Sequence, residues 1–121
     1  GELGQLLALG LHAFLEAGVP VALGSDGPMN PFLNMMLATL HPSNPAEAIS
    51  REQALHAYTR VAAFAEHEEN WKGTIAVGKA ADLAVLSQDI FTVPPPDLPK
   101  TTSVLTLVGG KVVHDAGVVK P

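Results

Sequence analysis

An α/β fold followed by a small β region is the class this sequence predicts, on three observations. Apolar residues recur at spacings of three and four in three stretches, the period of helices with one buried face. Val19 to Leu23, a short run rich in β-branched side chains and flanked by glycines, is a candidate buried strand. Beyond Trp71 the helical period is lost, and short apolar runs alternate with glycine-containing turns.

The first helix is expected over residues 2–17, where Leu3, Leu6, Leu7, Leu11, Phe14 and Leu15 form one stripe and Gly18 stops it. After the strand candidate and the turn at Gly27-Pro28, Phe32, Leu33, Met36, Leu37 and Leu40 predict a second helix, with Pro31 near its start and Pro42 beyond its end. "HPSNPAE" reads as a loop. Ser50 opens the third helix: its hydroxyl can cap the first turn, Gln53 can return the bond, and Ile49 can pack outside the cap. Ala54, Leu55, Tyr58, Val61, Ala62 and Ala65 form its buried face. A strand is expected at Leu83 to Leu86, two more joined at Gly109-Gly110, and a short one after Gly117. "FTVPPPDLPK" carries too much proline for a sheet ladder.

With 121 residues, the chain is long enough for one core and too short for two. Its 47% apolar and 16% charged composition excludes wholesale disorder. The net charge of −5, with basic residues scattered singly, argues against a nucleic-acid partner. The absence of cysteine removes disulfides, thiolate chemistry and cysteine metal sites. No apolar run has the length of a membrane helix, so a cytoplasmic protein with no membrane association is the expectation. A single strand cannot form a parallel sheet, which needs neighbours and cover on both faces. Either the chain is an unusual small α+β domain or it is the end of a larger enzyme, and a first helix that feeds directly into an apolar strand favours the second.

Asp26 is the leading candidate for chemistry. A carboxylate at the carboxyl end of a buried strand lies where α/β and barrel folds place ligands and catalytic groups, and it can bind a metal or accept a proton from water. Ser25-Asp26-Gly27-Pro28 is equally a good turn, in which Asp26 bonds to the backbone that follows it. His12, His41, His56, His67 and His114 show no His-x-His or His-Glu-x-x-His spacing, so cap, surface or core roles account for them. Glu66, Glu68 and Glu69 read as solvated charge, Met35, Met36 and Tyr58 as packing residues, and the glycine pairs as turns without a phosphate-binding context.

Taken in order, "GVPVALGSDGP", "SREQALHAYTRVAAFAEHEENWKGTIAVGKAADLAVLSQDIF" and "VLTLVGGKVVHD" resemble the carboxy-terminal part of the metal-dependent amidohydrolase superfamily, in the branch of exoenzyme-like and imidazolonepropionase-related hydrolases. The resemblance implies a (β/α)8 TIM barrel with a small composite β-sandwich built from both chain termini. Residues 1–70 would be the last barrel strand and helices, and residues 71–121 the carboxy-terminal contribution to the sandwich. Asp26 would then be both a metal ligand and the catalytic proton carrier, with Ser25 and Gly27 shaping its loop. Gly27 stands where a bulkier residue is often found. The implied cofactor is a divalent metal, zinc first, activating water to hydrolyse a non-peptide carbon–nitrogen bond of a small-molecule substrate. The paired histidines come from earlier strands of the family, so the isolated chain is expected to be catalytically incomplete and to self-associate through exposed edges. The alternative is a non-enzymatic α+β interaction module, or an enzyme remnant, in which Asp26 only caps a turn.

Overall fold

Helix α1 of the computed structural model, Leu11–Glu16, is the last part of the expected first helix. Residues 10–27 and 29–120 are described, so Leu3, Leu6 and Leu7 lie outside the described residues. Gly10 gives α1 no side-chain cap, and Glu47 supplies one from a distance: its Oε2 accepts from the Ala13 N–H at 3.1 Å. A carboxylate suits the positive end of a helix.

Val19 to Leu23 forms no strand, which corrects the sequence expectation. The segment is tied at one end by the Val19 N–H to the Phe14 carbonyl and at the other by the Leu23 N–H to the Ala57 carbonyl. Val21 and Leu23 pack on the core while Val19 and Ala22 face out. Residues 20–23 alternate outward and inward as a strand would, but a ladder needs a partner, and the described strands pair only with one another.

Helix α2, Pro31–Leu40, starts at Asn30, whose Oδ1 accepts from the Phe32 and Leu33 N–H groups at 3.0 and 3.2 Å. It ends at His41 in the left-handed region, φ 44°. After a single 3-10 turn, Pro45–Glu47, the expected capping box forms at Ser50, with Ser50 Oγ accepting from the Gln53 N–H and Gln53 Oε1 from the Ser50 N–H. Such a cap contributes about 1 kcal/mol to a helix.

The third predicted helix is divided. Helix α3 covers Arg51–Tyr58 and α4 covers Arg60–Ala65, interrupted at Thr59 with φ −121° and ψ −81°. The last turn of α3 therefore has carbonyls to satisfy. The Thr59 hydroxyl donates to Leu55, the Thr59 N–H to His56, and the Leu23 N–H to Ala57. The break is thus also the point at which the segment before Asp26 attaches.

Strands β1 (Leu83–Leu86), β2 (Ser103–Val108) and β3 (Lys111–Asp115) form an antiparallel sheet in the order β1-β2-β3. Leu83 faces Leu107 and Val85 faces Leu105, and Val108 faces Lys111 across the Gly109-Gly110 turn, with an irregularity in each pairing. Both turn glycines have positive φ, 57° and 80°, which suits a tight hairpin. The short strand expected after Gly117 is absent: Gly117 turns on the Asp115 carboxylate, and Val118 to Lys120 join no ladder. The proline-rich segment forms a 3-10 helix, Pro95–Lys100, whose Leu98 is fully buried. Leu98 joins Leu11, Met35, Ala38, Ile49, Ala54 and Ile90 in one core, so the carboxy-terminal third packs directly on α2.

Candidate functional site

Asp26 lies at the end of the Val19–Leu23 segment with its side chain exposed. The turn after it is held by its neighbour: Ser25 Oγ accepts from the Gly27 N–H at 3.1 Å. The Asp26 carboxylate makes no hydrogen bond or ion pair among the described residues. On the turn reading of the sequence Asp26 would bond to the backbone that follows it; in the structure the serine hydroxyl makes a short-range contact of that kind. Pro28, part of the expected turn, lies outside the described residues.

The five histidines are dispersed. His12 pairs with Glu16 at 3.1 Å on the surface of α1, and His56 and His67 are exposed. His114 lies on β3 with Nε2 3.1 Å from the Ser103 carbonyl. His41 is fully buried; its Nδ1 accepts from the Asn44 N–H, which leaves the ring hydrogen on Nε2, an atom with no partner among the described residues. Among the described residues no three His, Cys, Asp or Glu side chains converge as metal ligands.

The acidic run is used structurally in part. Glu66 pairs with Lys72 at 2.6 Å, and this contact raises the ammonium pKa above its ordinary value. In "GKAADLAVL", Lys79 donates to the Glu69 carbonyl at 2.7 Å and the Asp82 carboxylate accepts from the Gly109 N–H at 2.8 Å. Both side chains hold backbone. Tyr58 accepts from Asn34 Nδ2 at 2.8 Å; burial pushes its hydroxyl pKa up, with the Asn34 bond acting the other way. Tyr58, Phe32, Met35, Ile75, Leu86 and Phe91 line an apolar cleft of about 830 Å³ between the helices and β1, and Asp26 is not among its lining residues.

The sequence reading missed Asn30. Its Nδ2 donates to the Pro99 carbonyl at 2.9 Å, across 69 positions of sequence, while its Oδ1 caps α2. An Asn before a Pro at the head of a helical period signals the cap, but nothing local signals the long-range bond.

The arrangement matches known proteins. A family described as "Amidohydrolase family" matches residues 8–114. The chain belongs to the amidohydrolase family. It is 29% identical over 120 residues to the putative amidohydrolase YtcJ of Bacillus subtilis, covering 89% of this chain and 23% of that protein. It is 32% identical over 105 residues to imidazolonepropionase of Thermoplasma volcanium, covering 86% and 26%. With the N-substituted formamide deformylase of Arthrobacter pascens it shares 35% identity over 88 residues, 65% of this chain and 16% of that one. The crystal structure of an amidohydrolase from Thermotoga maritima superposes with a TM-score of 0.68 at 24% identity, over 93% of this chain and 26% of that one. This amidohydrolase segment thus spans about a quarter of the length of YtcJ and of the imidazolonepropionase. No described helix is long and apolar enough to cross a membrane.

Proposed function

We propose that the chain is the carboxy-terminal segment of a cytoplasmic, metal-dependent hydrolase that breaks a non-peptide carbon–nitrogen bond in a small molecule, and that Asp26 is its contribution to the chemistry. Residues 1–70 close a (β/α)8 barrel, and residues 71–121 supply strands of a small β-sandwich. Family membership supports the reaction class, and one relative bears the name N-substituted formamide deformylase, which describes cleavage at an amide nitrogen. The observation that carries the role of Asp26 is the Ser25–Gly27 bond: with the serine accepting in the turn, the exposed carboxylate makes no hydrogen bond or ion pair among the described residues.

The family resemblance implies a divalent metal, zinc first. The described residues do not make a centre for one, since Asp26 offers a single carboxylate and no further ligands converge. What this chain supplies is a carboxylate that takes a proton from the attacking water and passes it to the leaving nitrogen.

Titration calorimetry of the 121-residue chain with zinc is expected to show no tight stoichiometric binding, and amide and formamide substrates are expected to remain intact. Tight binding with hydrolysis by this chain alone would refute a shared centre. The sheet supports self-association as a further expectation. Both faces of β3 are exposed, with Val112 and Val113 57% and 61% accessible on opposite sides. Light scattering should give a mass above 12.6 kDa that rises with concentration; a constant monomer mass would reject it.

A further inference from the structure

Asp26 is followed by glycine, and no other aspartate or asparagine of the chain is. An aspartyl carboxyl can be attacked by the backbone nitrogen of the next residue, and a glycine there puts no side chain in the way. The structure separates Asp26 from the other aspartates a second time. The carboxylates of Asp82, Asp89 and Asp115 accept from the Gly109, Phe91 and Gly117 N–H groups, and that of Asp97 accepts from Lys100 Nζ. The Asp26 carboxylate is exposed and makes no hydrogen bond or ion pair among the described residues. Here it is the attacking atom that is held: the Gly27 N–H donates to Ser25 Oγ at 3.1 Å.

We propose that Asp26–Gly27 is a site of covalent self-modification, closing to a succinimide and reopening as isoaspartate, and that the Ser25 hydroxyl slows the closure. The Gly27 nitrogen bonds to Asp26 Cγ, a C–O bond of the carboxylic acid breaks, and the hydroxyl leaves with the amide proton as water. Water then adds across one of the two C–N bonds of the ring. Cleavage at Cγ restores aspartate, whereas cleavage at the α-carbonyl carbon leaves the main chain running through the side chain. Nothing is oxidised or reduced, and water is the sole co-reactant. The Ser25 contact opposes the first step, because the nitrogen gives up its hydrogen bond before it turns toward Cγ. An isoaspartate carries its free carboxylate on Cα rather than Cβ, which takes the proton carrier out of place. That consequence rests on the role of Asp26 given above; the modification does not.

Storage of the 121-residue chain in oxygen-18 water at physiological temperature and neutral pH, followed by peptide mapping, should show heavy oxygen and isoaspartate at Asp26 and not at Asp82, Asp89, Asp97 or Asp115. No label at Asp26, or as much at Asp115, overturns the site. Gly27→Ala should cut the labelling severalfold with the fold intact, since an added Cβ meets nothing nearer than Ser25 Oγ at 3.7 Å; undiminished labelling overturns closure through that nitrogen. Ser25→Ala should speed both hydrogen exchange at the Gly27 amide and the appearance of isoaspartate severalfold. Isoaspartate forming at or below the wild-type rate in Ser25→Ala overturns the protective role of the hydroxyl. Neither readout involves activity, so a failed catalytic role for Asp26 leaves both results intact.

Discussion

Replacing Asp26 by asparagine in the complete hydrolase is expected to lower kcat roughly a thousandfold, within the range a positioned proton carrier contributes. The same substitution should move stability by no more than about 0.5 kcal/mol, the behaviour of a surface change away from any structural contact. Both parts follow from one arrangement. The carboxylate is exposed and unbonded among the described residues, so its loss removes no packing and leaves no buried partner unsatisfied. Asparagine keeps the shape but cannot take up the proton. Ser25→Ala provides the contrast, because it removes the acceptor for the Gly27 N–H and loosens the turn while leaving the carboxylate in place. Rate profiles and thermal melts of the two variants check the division. An Asp26→Asn enzyme with wild-type kcat would remove the residue from the mechanism.

Much of the fold is legible because it is written in short-range terms. The capping box at Ser50 needs residues three apart, the hairpin at Gly109-Gly110 needs two glycines able to take positive φ, and α2 needs a proline at its start and a periodic stripe. Each is complete within about a turn of chain. The features that escape are set by what lies far away in sequence. Val19–Leu23 has the composition of a strand, and it stays out of a ladder because none of the described strands pairs with it. The division of α3 from α4 interrupts an apolar stripe that itself runs on through Thr59; the break frees a carbonyl for Leu23, more than thirty positions earlier. Asn30 reaches Pro99 over a still longer gap.

The candidate site divides the same way. The sequence singles out Asp26 by its place after an apolar run and before a turn, but it does not say which of two adjacent side chains makes the turn bond. Aspartate and serine can both do so, and only the geometry shows that Ser25 does. The histidine spacing contains no ligand pair, and among the described residues no three His, Cys, Asp or Glu side chains converge.

Gly73→Ala is expected to be the most disruptive glycine-to-alanine change among the described residues, costing about 2–5 kcal/mol. Gly73 has φ +97°, and a Cβ there would stand 2.7 Å from the Ala63 Cβ, 3.2 Å from the Thr59 carbonyl oxygen and 3.3 Å from the Arg60 Cα. Two of these three atoms are backbone at the junction of α3 and α4, and Ala63 is buried, so no flexible side chain can swing away. The added methyl must therefore push the turn after Trp71 off α4 or distort the helix junction that holds Leu23. Against a total stability of roughly 5–15 kcal/mol, this is enough to populate the unfolded chain. Gly78→Ala separates strain from contact. Its φ is +88° but nothing lies within 4 Å of the added carbon, so only the backbone preference is lost, about 1 kcal/mol. Urea midpoints of the two variants should differ by the contact alone. Pairing Gly73→Ala with Ala63→Gly should recover part of the loss, because it removes the 2.7 Å contact while the two backbone contacts remain. Equal midpoints for Gly73→Ala and Gly78→Ala would mean that the turn after Trp71 does not bear on α4.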